Sequence, residues 1–212
     1  MINKIVSKFK KRSNEPKKLS YRSEKVFSEL IEGDIAIDCG ANVGRVTEKM
    51  ADKGATVYAF EPNPHAFKIL KDKFIGHDNV HCYNQGVWDK ESEMPLYLHE
   101  NSDEDEIKWS TGSSLVSSKT NVRQDKFVMV KIIDLVDFIK QLAKPIKLLK
   151  LDVEGAEVEI ITKLLDEKIY QKVERIVVET HDDKMPELKE ETDLLRKRIA
   201  EEEIKNIDLN WI

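Results

Sequence analysis

The residues whose types and spacing could do chemistry fall in four short stretches. Asp38-Cys39-Gly40-Ala41-Asn42-Val43-Gly44 joins a carboxylate to a turn with two glycines at the end of an apolar run. Glycine permits a tight turn and a close backbone approach, and amides at a helix start offer donors to a ligand. Glu61 follows Gly44 by 17 residues, in Ala59-Phe60-Glu61-Pro62-Asn63, where an acid suits two ribose hydroxyls. Farther along, Asp152 and Glu154 close another apolar run ahead of Gly155, and His181 closes a third, beside Asp182 and Asp183. Two carboxylates and an imidazole on one ligand-binding edge could position an acceptor and take a proton from it. A divalent cation on Asp152, Glu154, Glu179, His181 and Asp182 is the lesser reading: hard cations favour carboxylates, but nothing in the spacing fixes a ligand set, and no metal ligand is assigned.

These residues must be positioned by elements, and the apolar pattern predicts them. Near-continuous apolar runs at 35–39, 56–60, 80–84, 146–151 and 175–180 read as five parallel core strands, covered on both faces. Apolar residues three or four apart predict helices at 45–53, 65–74, 133–142, 157–167 and 185–203. This alternation is the pattern of an α/β domain. An inserted strand pair, 93–100 and 126–132, interrupts it between the third and fourth core strands, joined by a long loop at 101–121. Residues 204–212 read as one last strand, through Ile207, Leu209 and Trp211. Glu157 and Glu159 are expected to open a helix, where negative charge suits the dipole.

The constellation resembles class I S-adenosylmethionine-dependent methyltransferases, and the order of its motifs is similar to the FkbM family. The resemblance rests on Ile37-Asp38-Cys39-Gly40-Ala41-Asn42-Val43-Gly44, Phe60-Glu61-Pro62-Asn63-Pro64, Leu149-Lys150-Leu151-Asp152-Val153-Glu154-Gly155-Ala156-Glu157 and Glu179-Thr180-His181. It implies a Rossmann-like fold, with a mostly parallel sheet and helices on both faces. It also implies that Gly40, Asn42 and Gly44 cradle the methionine part of the cofactor, that Glu61 holds the ribose, and that Gly86-Val87-Trp88 borders the adenine. Asp38, Asn63 and Asp152 complete the expected cofactor contacts, and Gly112-Ser113-Ser114-Leu115 resembles a family segment near them. The implied reaction is O-methylation of a hydroxyl on a sugar, glycan or small metabolite, leaving S-adenosylhomocysteine. Asp152, Glu154 and His181 are the expected catalytic groups, with His181 as the base and Glu154 in reserve. Members of this superfamily typically finish on an antiparallel hairpin, for which residues 204–212 leave little chain.

Composition sets the frame. The chain has 212 residues, 35% of them charged, with 8 Gly and 6 Pro, which fits one helix-rich domain. Residues 1–25 carry nine Lys or Arg against Glu15 and Glu24, a net of +7, so the overall −5 leaves −12 on the remaining 187. An acidic body repels phosphate, and a nucleic-acid partner is not expected. Ile2, Ile5, Val6 and Phe9 lie at helical spacing opposite Lys4, Lys8, Lys10 and Lys11, so residues 1–22 read as a basic amphipathic leader to a domain at 23–212. Residues 1–12 could touch an anionic membrane peripherally. With no membrane-spanning run or secretory signal, and with Cys39 and Cys82 in strand-like runs, the expected location is cytoplasmic, or peripheral at the inner membrane surface. A nicotinamide-dependent oxidoreductase is the rival enzyme, weakened because Gly40 to Gly44 lacks the G-x-G-x-x-G spacing. A binding module with a vestigial cofactor fold is the non-enzymatic rival, and oligomeric state is unreadable.

Overall fold

The computed structural model describes residues 21–99, 122–182 and 185–211. Residues 1–20 of the amphipathic leader, the 101–121 loop and its Gly112-Ser113-Ser114-Leu115 segment lie outside the described residues. Helix α1 (Tyr21–Ser28) leads into β1 (Ile35–Cys39), α2 (Arg45–Ala51), β2 (Thr56–Phe60), α3 (Pro64–Lys73) and β3 (Val80–Tyr83). Three further strands, β4 (Gly86–Trp88), β5 (Ser92–His99) and β6 (Val122–Asp134), then precede α4 (Leu135–Gln141). The chain returns through β7 (Ile146–Leu151), α5 (Glu157–Asp166), β8 (Val173–Val178), α6 (Lys189–Glu201) and β9 (Ile207–Asp208).

Six strands form a sheet in the order β3-β2-β1-β7-β8-β9, all parallel. Every residue of β1 is buried, because the pleat sends Ile35, Ile37 and Cys39 to one face and Ala36 to the other, and both faces are covered. Leu135, Val136 and Ile139 of α4, with Ile160, Ile161 and Leu164 of α5, pack on the first face. Val26 and Phe27 of α1 and Met50 of α2 pack on the second, together with Trp211, whose ring meets Phe27 edge-on at 6.3 Å. The chain runs outward from β1 to β3, then crosses back to β7 on the other side of β1. This reversal opens the crevice where open α/β sheets bind ligands, at the carboxyl ends of β1 and β7.

Besides the added helix α1, the structure departs from the sequence expectations at the inserted strands and along the C-terminal third. The inserted pair is a three-stranded sheet, β4-β6-β5, because Gly86–Trp88 pairs parallel with Ile132 to Asp134. Strand β8 ends at Val178, so Glu179, Thr180 and His181 lie beyond it on irregular backbone. The last helix starts at Lys189, after a short turn of 3-10 helix at Pro186–Leu188. The 204–212 strand shrinks to Ile207–Asp208, parallel to β8. Its ends are set by side chains: Asn206 donates to the carbonyls of Tyr170 and Val173, and the Asp208 carboxylate accepts from the Asn210 amide, closing a turn.

Candidate functional site

Gly40 follows β1 with φ +78°, and a Cβ built on it would lie 1.8 Å from the carbonyl oxygen of Asp152, which follows β7. Only glycine lets these two backbones meet at the crevice. Gly44 has φ +79°, and its Cβ would strike Leu70 of α3 at 2.8 Å and Phe74, just past its end, at 2.7 Å. Its bareness therefore serves the packing of α3 on the turn.

Glu61 is 6% exposed, with each carboxylate oxygen accepting one backbone amide: Asn42 at 2.8 Å and Asn63 at 2.7 Å. Burial pushes its carboxyl up to about 7, against the pull of those two amides and of Lys150. A carboxylate oxygen has two lone pairs, so each keeps acceptor capacity for a second donor. Such a paired acceptor at the end of β2 fits the vicinal hydroxyls of a ribose. The other turn amides donate within the chain: Gly40 and Ala41 to the Phe60 carbonyl, Val43 to the Asn42 side chain, Gly44 to the Ala41 carbonyl. These four amides are thus engaged within the chain, and the carboxylate of Glu61 is the acceptor that the turn presents beside them.

Two more expected cofactor contacts are occupied inside the protein. Asp38 is fully buried; one oxygen accepts from Thr47 at 2.7 Å and the other pairs with Lys150 at 3.2 Å, off the angle of a hydrogen bond. Asn63 is the cap of α3, its side chain accepting from His65 and Ala66 ahead of Pro64 at the first helical position. Gly86 and Val87 are buried in β4, and Trp88 is half-buried against the core. Asn42 and Asp152 remain partly exposed at the crevice.

Lys150 is the residue that sequence reading missed. It is 2% exposed, and its ammonium reaches the carbonyls of Cys39 and Gly40 at 3.2 and 2.9 Å, Asp38 at 3.2 Å and Asp152 at 3.3 Å. Burial alone would lower its pKa, but Asp38 and Asp152 raise it above that of an ordinary lysine, so the charge is permanent. The available signal was a lysine inside a strand expected to be covered on both faces, which demands acids on its neighbours.

Asp152, Glu154 and His181 come together beyond β7 and β8. His181 is 2% exposed; its Nε2 lies 3.2 Å from Glu154 Oε2 and 3.7 Å from Asp152 Oδ1, and its Nδ1 lies 2.9 Å from Glu157 Oε1. Glu157, expected chiefly to open a helix, is 2% exposed and accepts from the Val153 and Gly155 amides at 3.1 and 3.0 Å. Its carboxylate is placed to accept a hydrogen bond from His181 Nδ1–H, which would fix the ring's tautomer. Burial opposes charge on this imidazole, but Glu157, Glu154 and Asp152 outweigh it and raise the pKa above that of an ordinary histidine. Glu154 itself sits at φ +60°, a strained conformation for a side-chain-bearing residue. Asp182, by contrast, is held by Arg196, which keeps its carboxyl below the usual range.

Residues 38–204 match the methyltransferase FkbM domain, and the chain belongs to that family. Its class I fold implies S-adenosylmethionine, which carries an already activated, electrophilic methyl group. Methyltransferase 1 of Beauveria bassiana is 26% identical over 162 residues, 70% of this chain and 65% of the relative. A probable ribosomal RNA small subunit methyltransferase A of Methanococcoides burtonii is 32% identical over 53 residues, 25% of this chain and 20% of that protein. The crystal structure of methyltransferase FkbM from Methylobacillus flagellatus aligns with 79% of this chain and 37% of its own, at 12% identity and a TM-score of 0.49. The chain thus spans less than two thirds of these relatives. Family membership sets the nicotinamide reading aside.

Proposed function

We propose that this chain moves the methyl group of S-adenosylmethionine to a hydroxyl oxygen of a sugar, glycan or small metabolite. The observation that carries the proposal is one unbroken line of contacts. It runs from Glu61 through the Asn42 amide to the turn, then from the Gly40 carbonyl through Lys150 to Asp152 and His181. The group suited to a ribose and the groups suited to a hydroxyl acceptor are thereby held on one rigid edge. Glu61 fixes the nucleoside end, Gly40 lets the crevice close on backbone alone, and Asp152, Glu154 and His181 receive the acceptor hydroxyl and its proton. Alignment of this kind supplies up to about 7 to 11 kcal/mol, and proton removal a further ~100- to 10,000-fold in rate.

Two of the relatives carry ribosomal RNA methyltransferase names, so RNA is the competing acceptor. The acidic body, −12 over residues 26–212, supports a small hydroxylated acceptor instead. The test is methyl-labelled S-adenosylmethionine offered with monosaccharides, oligosaccharides, phenols and ribosomal RNA. Label in an alkali-stable methyl ether on a hydroxyl compound is the expected outcome. Label confined to RNA, or to nitrogen or carbon of any acceptor, overturns the proposal.

A further inference from the structure

The His181 ring is anchored on one side and open on the other. Nδ1 is engaged by Glu157, whose own oxygens are pinned by two backbone amides. Nε2 is fully buried and has no hydrogen-bond partner, although two carboxylates stand within 3.7 Å of it. A histidine whose one nitrogen donates to a carboxylate while the other points bare into a cluster of acids has the arrangement of a metal ligand with its orienting partner.

Two further observations converge. One ligand atom each from Asp152, Glu154 and His181 lie within 4.8 Å of one another, close enough for a single ion to touch all three. Four carboxylates, of Asp152, Glu154, Glu157 and Glu179, lie within 3.9 Å of the imidazole, and Lys150, the cation bound to Asp152, is shared with Asp38. The backbone twist of Glu154, φ +60°, followed by Gly155 at φ +124°, turns the chain at the cluster.

We infer that Asp152, Glu154 and His181 Nε2 hold one divalent cation, with Glu157 as the group that positions His181. Carboxylates suit Mg, Ca and Mn, imidazole suits the later first-row metals, and Mn²⁺ satisfies both. The binding stands on geometry alone; its part in catalysis rests on the reading of this cluster as the acceptor site. There the cation replaces direct proton abstraction by His181: a hydroxyl bound at an open coordination position is acidified, and its proton leaves to a carboxylate at the cluster rim.

The experiment uses the full chain, stripped with chelator and dialysed, titrated with Mn²⁺ while the free-ion electron paramagnetic resonance signal is followed. One equivalent bound with a dissociation constant below about 100 μM is expected, with a ¹⁴N imidazole coupling in the bound spectrum. Asp152→Asn and His181→Asn should each weaken binding at least tenfold, and Glu157→Gln about 10- to 100-fold. Absence of binding at 1 mM Mn²⁺, absence of the nitrogen coupling in the wild type, or a folded His181→Asn that binds as tightly as wild type overturns the inference. The nitrogen coupling needs no variant, so a misfolded mutant leaves the test intact. Calorimetric titration with S-adenosylhomocysteine keeps the two readings apart. A chain that binds S-adenosylhomocysteine but fails to bind Mn²⁺ sinks the cation alone, and one that binds Mn²⁺ but fails to bind S-adenosylhomocysteine sinks the methyltransferase reading alone.

Discussion

At the scale of single residues, the site is organised by buried groups that bind one another. Lys150 is the clearest, since it neutralises Asp38, which is sealed from water, and joins it to Asp152. Lys150→Met should therefore cost about 3 to 5 kcal/mol in urea unfolding, because it strands a buried carboxylate. Adding Asp38→Asn should return part of that loss, and a double mutant no better than the single would show that the pairing is not the cause. Glu61 is different in kind: its loss should be felt in the ligand. Glu61→Gln is expected to weaken S-adenosylhomocysteine about 10- to 100-fold, the worth of a charged hydrogen bond, with the helix content unchanged by circular dichroism. Equal dissociation constants would remove Glu61 from the cofactor site.

The elements explain what could be read in advance and what could not. Strands β1, β2 and β7 fall on the expected 35–39, 56–60 and 146–151, because burial on both faces forces an apolar run that ends where the chain meets water. Alternation at Ile207, Leu209 and Trp211 read as a strand too, but it reflects burial: the ladder with β8 covers only Ile207 and Asp208, and the Asp208 carboxylate then turns the chain by accepting from the Asn210 amide. Asp38 and Asn63 were legible as chemistry-bearing types; that one is an ion-pair partner and the other a helix cap depends on neighbours distant in sequence, Lys150 for the first, or on cap geometry for the second. Glu157 looked like a helix-start acid, and it is one; its reach to His181, 24 residues away, needed the β7 and β8 ends side by side. Trp211 shows what the short tail contributes: 3% exposed, it fills the face beneath α1, and its amide donates to Val178. Trp211→Ala should cost about 3 to 5 kcal/mol in the same unfolding assay, and a loss under about 1 kcal/mol would show that the tail is dispensable.

For the whole molecule, Glu61 ties stability to pH with a sign that opposes ligand binding. Its folded pKa of about 7 lies above its ordinary 4.5, so the native state holds this proton where the unfolded chain has lost it. The stability it contributes is therefore present at low pH and lost as pH rises through about 7. His181, also raised, adds in the same direction in the metal-free chain. The free protein should thus melt higher at pH 6 than at pH 8, and the slope should shrink in Glu61→Gln. An ionised carboxylate accepts from hydroxyls better than a protonated one, so if Glu61 holds the ribose as proposed, the thermal shift given by S-adenosylhomocysteine should do the reverse, growing from pH 6 to pH 8. A ligand shift that is flat with pH in the wild type would contradict the assignment.

Glu154 sits where folding prefers glycine, at φ +60° in a crowd of acids. Glu154→Gly should relieve about 1 kcal/mol of backbone strain and raise Tm by about 2 to 4 °C while abolishing turnover; a lower Tm would refute the strain. A library of variants sorted by heat resistance would then enrich glycine at position 154, and one sorted by methyl transfer would purge it. Where two such sorts disagree, the disagreement itself marks the working end of the molecule before any acceptor has been found.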